Sequence, residues 1–99
     1  MNRNSYISLA RKSADLQINE LKKIRKVFSK SFIKAVELIL SCKGKVICAG
    51  IGKSGLIARK ISATFSSVGI PSFFCDPAQA LHGDMGQIEK KDILIIFSY

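Results

Sequence analysis

The chain has 99 residues, a net charge of +9, 47% apolar and 23% charged residues, and only two prolines. That length allows one domain at most, with a modest core, and the composition excludes a disordered or low-complexity protein. The longest apolar run, residues 93–97, falls far short of the ~20 residues a membrane-spanning helix needs. The N-terminus likewise builds no apolar stretch of the secretory kind, so no membrane partner is expected.

In chain order, residues 6–42 read as helix. Leu9, Leu16, Leu21, Ile24, Phe28, Phe32, Val36 and Ile39 recur mostly at steps of three, four or seven, as an apolar stripe on a helix requires. Ser29-Lys30-Ser31 is the expected break, with Ser29 or Ser31 capping a second helix. Gly44 is the expected stop. Lys45–Ala49 is a short apolar run without alternation, which predicts a strand buried on both faces. Ile57, Ile61, Thr64, Phe65 and Val68 restore helical spacing until Gly69 and Pro71 end it. Residues 72–75 predict a second strand, 76–86 a loop with one helical turn after Pro77, and 93–97 a third, all-apolar strand. Strand, helix, strand with tight connections describes a right-handed βαβ unit in a parallel sheet. The expected organisation is a helical arm over residues 1–43, then the sheet portion of an α/β domain over residues 44–99. An all-apolar parallel strand expects helices on both faces, and ligand loops follow the carboxyl ends of such strands. The sequence therefore reads as the incomplete N-terminal portion of a domain.

The three cysteines, Cys42, Cys48 and Cys75, are odd in number and lack C-x-x-C spacing. Free thiols in a reducing compartment are the plain reading, which places the protein in the cytoplasm. The basic balance suits nucleic acid, an anionic surface or an anionic substrate. The run 21–34 is densest in charge but lacks the interleaved aromatics of nucleic-acid binders. A solvated helix face is its simpler reading, and nucleic acid is disfavoured.

The chemistry concentrates in residues 45–60, KVICAGIGKSGLIARK. Three phosphate loops compete. A nucleotide P-loop needs a glycine at position 47, which is Ile47, so that pattern fails. The dinucleotide fingerprint G-x-G-x-x-G is met by Gly50, Gly52 and Gly55, with Asp76 standing about where a ribose-binding carboxylate belongs. Lys53 has no place in that fingerprint. The third reading is a sugar-phosphate site. There the helix starting near Ser54 offers unpaired N–H groups and a partial positive charge, the glycines allow close approach, Ser54 donates its hydroxyl and Lys53 adds a full charge. The bland alternative is a tight strand-to-helix turn that binds nothing.

GIGKSGLIARKISATFSSVGIPSFFCDPAQALHGDMGQI resembles the sugar isomerase (SIS) domain, most of all the arabinose-5-phosphate isomerases of the capsule-expression and glucitol-utilisation type. The similarity runs from about Cys42 to Tyr99, and the paired motifs G-x-G-K-S-G and A-x-H-G-D carry it. The resemblance implies a three-layer αβα, doubly wound sandwich around a five-stranded parallel sheet. It implies reversible isomerisation of ribulose 5-phosphate and arabinose 5-phosphate, toward an acidic sugar of lipopolysaccharide, and a substrate held between subunits of a homo-oligomer. Lys53 matches the family's catalytically relevant lysine and His82 its substrate-contacting histidine, so these two are the implied catalytic residues. Gly52, Ser54, Gly55, Gly69, Ile70, His82 and Ser98 are the implied substrate contacts. At Ile70, where relatives carry a small polar residue, only the backbone is expected to serve. Asp76 stands where relatives carry a zinc-binding histidine. A carboxylate can also ligate zinc, but Asp76 reads more simply as a cap on the Pro77-Ala78 turn, and no cofactor is expected.

Ser98 opens the family's second phosphate loop. The family's further catalytic groups, two glutamates and a histidine, and its paired CBS domains fall beyond Tyr99. The implied chain is thus a truncated, weakly active or inactive piece that pairs with a missing C-terminal half or with further copies. Two rival functions remain: a dinucleotide (NAD)-binding half-domain, and a non-catalytic interaction module using the basic arm.

Overall fold

The computed structural model describes residues 2–80 and 84–98. The elements run α1 (Arg3–Ile24), a 3-10 turn (Arg25–Val27), α2 (Lys30–Leu40), β1 (Val46–Ala49), α3 (Lys53–Ser67), β2 (Ser72–Cys75), α4 (Pro77–Ala80), a second 3-10 turn (Asp84–Gln87) and β3 (Ile93–Ile96). Residues 1–36 and 37–99 are two compact units.

In the first unit α1 begins at Arg3, earlier than the apolar periodicity suggests. The Asn2 side chain caps it, accepting the Ser5 N–H at 2.9 Å, and a polar cap leaves no trace in an apolar pattern. The break also precedes Ser29. Residues 25–27 tighten into a 3-10 turn and Phe28 leaves helical geometry at ψ 82°. The Ser29 carbonyl then accepts the Ile33 N–H at 3.2 Å. Across the break the Phe28 and Phe32 rings meet edge-on, 5.0 Å apart, a favoured aromatic geometry. No residue of α1 is buried.

The second unit is built on a parallel sheet of order β2-β1-β3. Val46 pairs with Ser72 and Ile93, and Ala49 with Cys75 and Ile96. Central β1 is buried at all four positions, as its unalternated sequence requires. Val46 and Cys48 pack with Ala58 of α3, joined by Ile39, Ile61, Phe65 and Ile95. Ile47, Ala49 and Cys75 form the other face with Phe73 and Ile88. The later half of α2 thus belongs to the sheet, through Ile39. Cys42 and Cys48 carry free thiols. Burial raises the Cys48 thiol pKa, with a hydrogen bond to Ser72 partly opposing it.

The helix α3 buries Gly55, Ala58 and Ser62. The one buried hydroxyl among these is satisfied: Ser72 Oγ donates to the Val46 carbonyl at 2.6 Å and meets Ser62 Oγ at 2.9 Å. At the far end, Ile70 N–H bonds the Phe65 carbonyl at 2.9 Å and Gly69 N–H the Ser66 carbonyl at 3.2 Å. Gly69 sits at φ +90°. This double bond pattern with a left-handed glycine is the Schellman stop.

Two expectations change. The helix α2 ends at Leu40, short of Gly44, where the Ser41 hydroxyl takes the Glu37 carbonyl at 2.8 Å. Gly44 instead makes room for Asp92, since a Cβ there would collide with that carboxylate. Asp92 clamps the amino edge of the sheet: Oδ1 accepts the Lys45 N–H and Oδ2 the Glu89 N–H, each at 2.7 Å. These two amides, helped by the Lys45 and Lys91 charges, hold the Asp92 pKa below its ordinary value. The second change is β3, which alternates rather than being buried on both faces. Leu94 and Ile96 are exposed because β3 is an edge strand and no described element packs over that side of it.

Candidate functional site

The carboxyl ends of all three strands share one edge, by their register. The chain leaves β1 to form β2 on one side and returns to place β3 on the other. The crevice between β1 and β3 is therefore the point where strand order reverses, the usual ligand position in open α/β sheets. Two segments meet there: residues 50–54, leaving β1, and Phe97-Ser98, leaving β3. The Phe97 N–H donates to the Ala49 carbonyl at 2.8 Å, which keeps Ser98, itself exposed, beside the glycine turn.

The three glycines do different work. A Cβ on Gly50 would lie 2.8 Å from the Ser54 carbonyl group, and one on Gly55 2.7 Å from the Gly50 oxygen. These two let strand and helix cross closely, and their spacing in the motif has a packing cause. Gly52 is different. It adopts φ 62°, ψ −130°, a region almost confined to glycine, and its missing side chain faces open space.

The amides sort the same way. Gly55 N–H bonds the Ile51 carbonyl at 3.3 Å and Leu56 N–H the Gly52 carbonyl at 3.2 Å. Among the described residues, the Gly52, Lys53 and Ser54 amides have no partner. They stand at the start of a 15-residue helix with no acidic residue in its first turn, where the peptide dipoles add partial positive charge. The Lys53 side chain is exposed and makes no ion pair with a described residue. Ser54 is half-buried, its hydroxyl likewise unpaired among the described residues. An open corner of three N–H donors, a hydroxyl and an ammonium can hold a phosphoryl dianion.

Other residues from the sequence reading fall elsewhere. Gly69 and Ile70 precede β2 at the amino edge, separated from Gly52 by the length of α3, about 22 Å at 1.5 Å per residue. Ile70 packs into the core. One chain does not bring this pair together with the glycine turn. Asp76 follows β2 at the carboxyl edge, but its Oδ1 accepts the Ala78 N–H at 2.9 Å, the capping role. No metal-binding cluster occurs among the described residues. His82 lies outside them. The sequence reading left one anchor unassigned: the Arg59 guanidinium stacks 4.0 Å above the Phe74 ring, tying α3 to β2. The signal was Arg59 standing four residues after Gly55, along the edge of the helix that meets the sheet.

Comparisons with known proteins bear on the family and the fold. Residues 39–99 match the family model of the SIS domain. The chain is 43% identical over 95 residues to the arabinose 5-phosphate isomerase GutQ of Escherichia coli K12, covering 96% of this chain and 30% of that protein. An Escherichia coli CFT073 protein solved in complex with arabinose 5-phosphate superposes with a TM-score of 0.79 at 41% identity, over 97% of this chain and 51% of the other. A Listeria monocytogenes crystal structure assigned as a sugar-phosphate isomerase gives 0.87 at 32% identity, with the same coverage. The chain thus spans about 30% of the length of the curated relatives and about half that of the solved chains.

Proposed function

The chain belongs to the SIS domain family, and from that premise we propose that it binds a phosphosugar at the carboxyl edge of its sheet. The observation that carries the reading is the group of Gly52, Lys53 and Ser54 amides, unpaired among the described residues, beside open space at Gly52. The phosphoryl end would rest on those amides and the Ser54 hydroxyl, with Ser98 approaching from β3. Gly55 contributes by shaping the turn.

In the intact protein the reaction would be aldose–ketose isomerisation between arabinose 5-phosphate and ribulose 5-phosphate; the curated relatives are named arabinose 5-phosphate isomerases. A base takes the proton from C2 of the aldose and a proton returns to C1, while the carbonyl oxygen is polarised throughout. Lys53 is assigned the cation that polarises or orients that oxygen. His82 is assigned proton transfer, since imidazole titrates near neutral pH. A second copy would supply Gly69 and the Ile70 backbone, which within one chain stand at the opposite edge. Asp76 is assigned to capping rather than to a metal. The proposed setting is a reducing one, the cytoplasm, in keeping with the free thiols of Cys42 and Cys48; no described helix is long and apolar enough to cross a membrane.

Calorimetric titration tests the reading. Saturable binding of arabinose 5-phosphate, displaced by ribulose 5-phosphate, is expected. Saturable NAD binding that no sugar phosphate displaces would overturn it in favour of a dinucleotide site.

A further inference from the structure

The amides of the anion corner must be held in place, and little in the first turn of α3 holds them. Gly52 sits in a backbone region almost confined to glycine. Gly52 and Gly55 carry no side chains, and glycine is a poor helix former. The two backbone bonds that close the turn, from the Gly55 and Leu56 amides, measure 3.3 and 3.2 Å, longer than the usual length of about 2.9–3.0 Å. Lys53 and Leu56 are exposed. The height of this turn over the sheet must be set by the turn that follows.

There Arg59 stands four residues after Gly55, about 6 Å further along the axis at 1.5 Å per residue. Its guanidinium lies 4.0 Å over the centre of the Phe74 ring, and it makes no ion pair with a described residue. Phe74 belongs to the edge strand β2, opposite Cys48, and packs on the core of Val46, Cys48 and Ala58. The same ring reaches the glycine turn: its Cζ lies 3.8 Å from where a Gly55 Cβ would stand. One ring thus meets α3 at two successive turns. The bare Gly55 lets the helix settle close to it, and the attraction of the cation for the ring face draws the helix down.

The rival role for Arg59 is a second cation that touches the anion itself. Its guanidinium is laid on the ring instead, and six residues of helix, a rise of about 9 Å, separate it from Lys53. At that distance, about one Debye length, salt screens much of its charge.

We propose that Arg59 is a positioning residue: by clasping Phe74 it holds the first turn of α3, and with it the Gly52, Lys53 and Ser54 amides, in the geometry that receives a phosphoryl group. The link to binding rests on the phosphosugar reading; the mechanical part stands without it. Affinity falls with the fraction of chains in the competent geometry, so loosening the turn weakens binding without removing a contact to the ligand.

Two measurements on the full chain make the test, and the first needs no ligand. Arg59→Ala should speed amide hydrogen exchange at Gly55 and Leu56 at least about threefold, through local opening, and leave Gly69 and Ile70 at the other end of α3 unchanged. Arg59→Lys keeps a cation for the ring and should restore the parent rates. A role in overall stability alone would speed all four amides alike. The second is calorimetric titration with arabinose 5-phosphate, where Arg59→Ala should bind about two- to fivefold more weakly, the worth of an exposed cation–π contact, and Arg59→Lys as the parent does. Unchanged exchange at Gly55 and Leu56, or equal change at both ends of the helix, would overturn the proposal. So would a parent chain and an Arg59→Ala chain that bind arabinose 5-phosphate equally well. A parent chain that binds no sugar phosphate would remove the phosphosugar reading, and the exchange rates would still decide the role of Arg59. Phe74→Leu keeps an apolar residue on β2 and should reproduce the Arg59→Ala exchange, which keeps the proposal falsifiable if Arg59→Ala does not fold.

Discussion

Replacing Gly55 by alanine should loosen the junction between β1 and α3. The new Cβ would lie 2.7 Å from the Gly50 carbonyl oxygen and 3.8 Å from the Phe74 ring. Neither the backbone oxygen nor the helix behind it can rotate away. Ordinary contact needs about half an ångström more, so the start of α3 must retreat from the strand. That retreat strains the packing of Ala58 on Val46 and Cys48, all three fully buried. Overpacking of this kind costs about 1–3 kcal/mol, and alanine's better helix propensity returns at most about 1 kcal/mol. The net loss, up to about 2 kcal/mol, lowers the melting temperature of a domain this size by up to about 15 °C. Thermal unfolding followed by circular dichroism, run beside Gly52→Ala, is the assay. Gly52→Ala meets no atom but must leave φ 62°, so its main loss should be in phosphosugar binding. A Gly55→Ala chain melting at or above the parent temperature would refute the close-approach argument.

Lys53→Ala removes the ammonium beside the unpaired amides and should weaken arabinose 5-phosphate binding roughly ten- to a hundredfold, the range for a charged hydrogen bond; calorimetry reads it, and unchanged affinity would remove Lys53 from the site. Ser72→Ala deletes the bond to the Val46 carbonyl and strands the buried Ser62 hydroxyl, so urea unfolding should show a loss of about 1–3 kcal/mol; Ser62→Ala/Ser72→Ala together should cost less than the sum of the two single changes. Asp92 has a folded-state pKa below its ordinary value. Its contribution is therefore present above the unfolded pKa of about 3.9 and is lost as pH falls through the lower folded value. Asp92→Asn should be less stable near neutrality and show a shallower decline in acid, which a pH series of urea midpoints will reveal.

The glycine turn was legible because its three glycines and lysine follow an apolar strand and open a periodic helix, a pattern with a mechanical cause at each position. The central strand was legible for a similar reason: VICA has no polar residue to place in water. The strand order was not written in any one segment, since β3 reaches β1 across some 47 residues through Lys45 and Asp92. Asp92 carries no signal of its own in the sequence; only the folded edge shows two amides converging on it. The start of α1 was hidden by a polar cap, and the end of α2 by a serine hydroxyl that replaced the expected glycine stop. The exposure of Leu94 and Ile96 was misjudged because an apolar run specifies a wish to be covered and says nothing of what does the covering. The resemblance groups Gly69 and Ile70 with the glycine turn as substrate contacts, yet a helix of fixed rise sets them at the other edge.

The middle position of β1 has a consequence for the order of folding. Its first neighbour is separated from it by one helix, while its second arrives only after the chain has travelled as far again, and distant pairings form slowly. The arm's local hydrogen bonds can form within microseconds, whereas VICA must wait with one flank unzipped until ILII emerges. During that interval the strand that ends up buried at all four positions has a bare row of amides and carbonyls, an open invitation to another nascent chain. Slowing synthesis between codons 76 and 92 should therefore raise the yield of aggregates more than the same pause placed within the first 36.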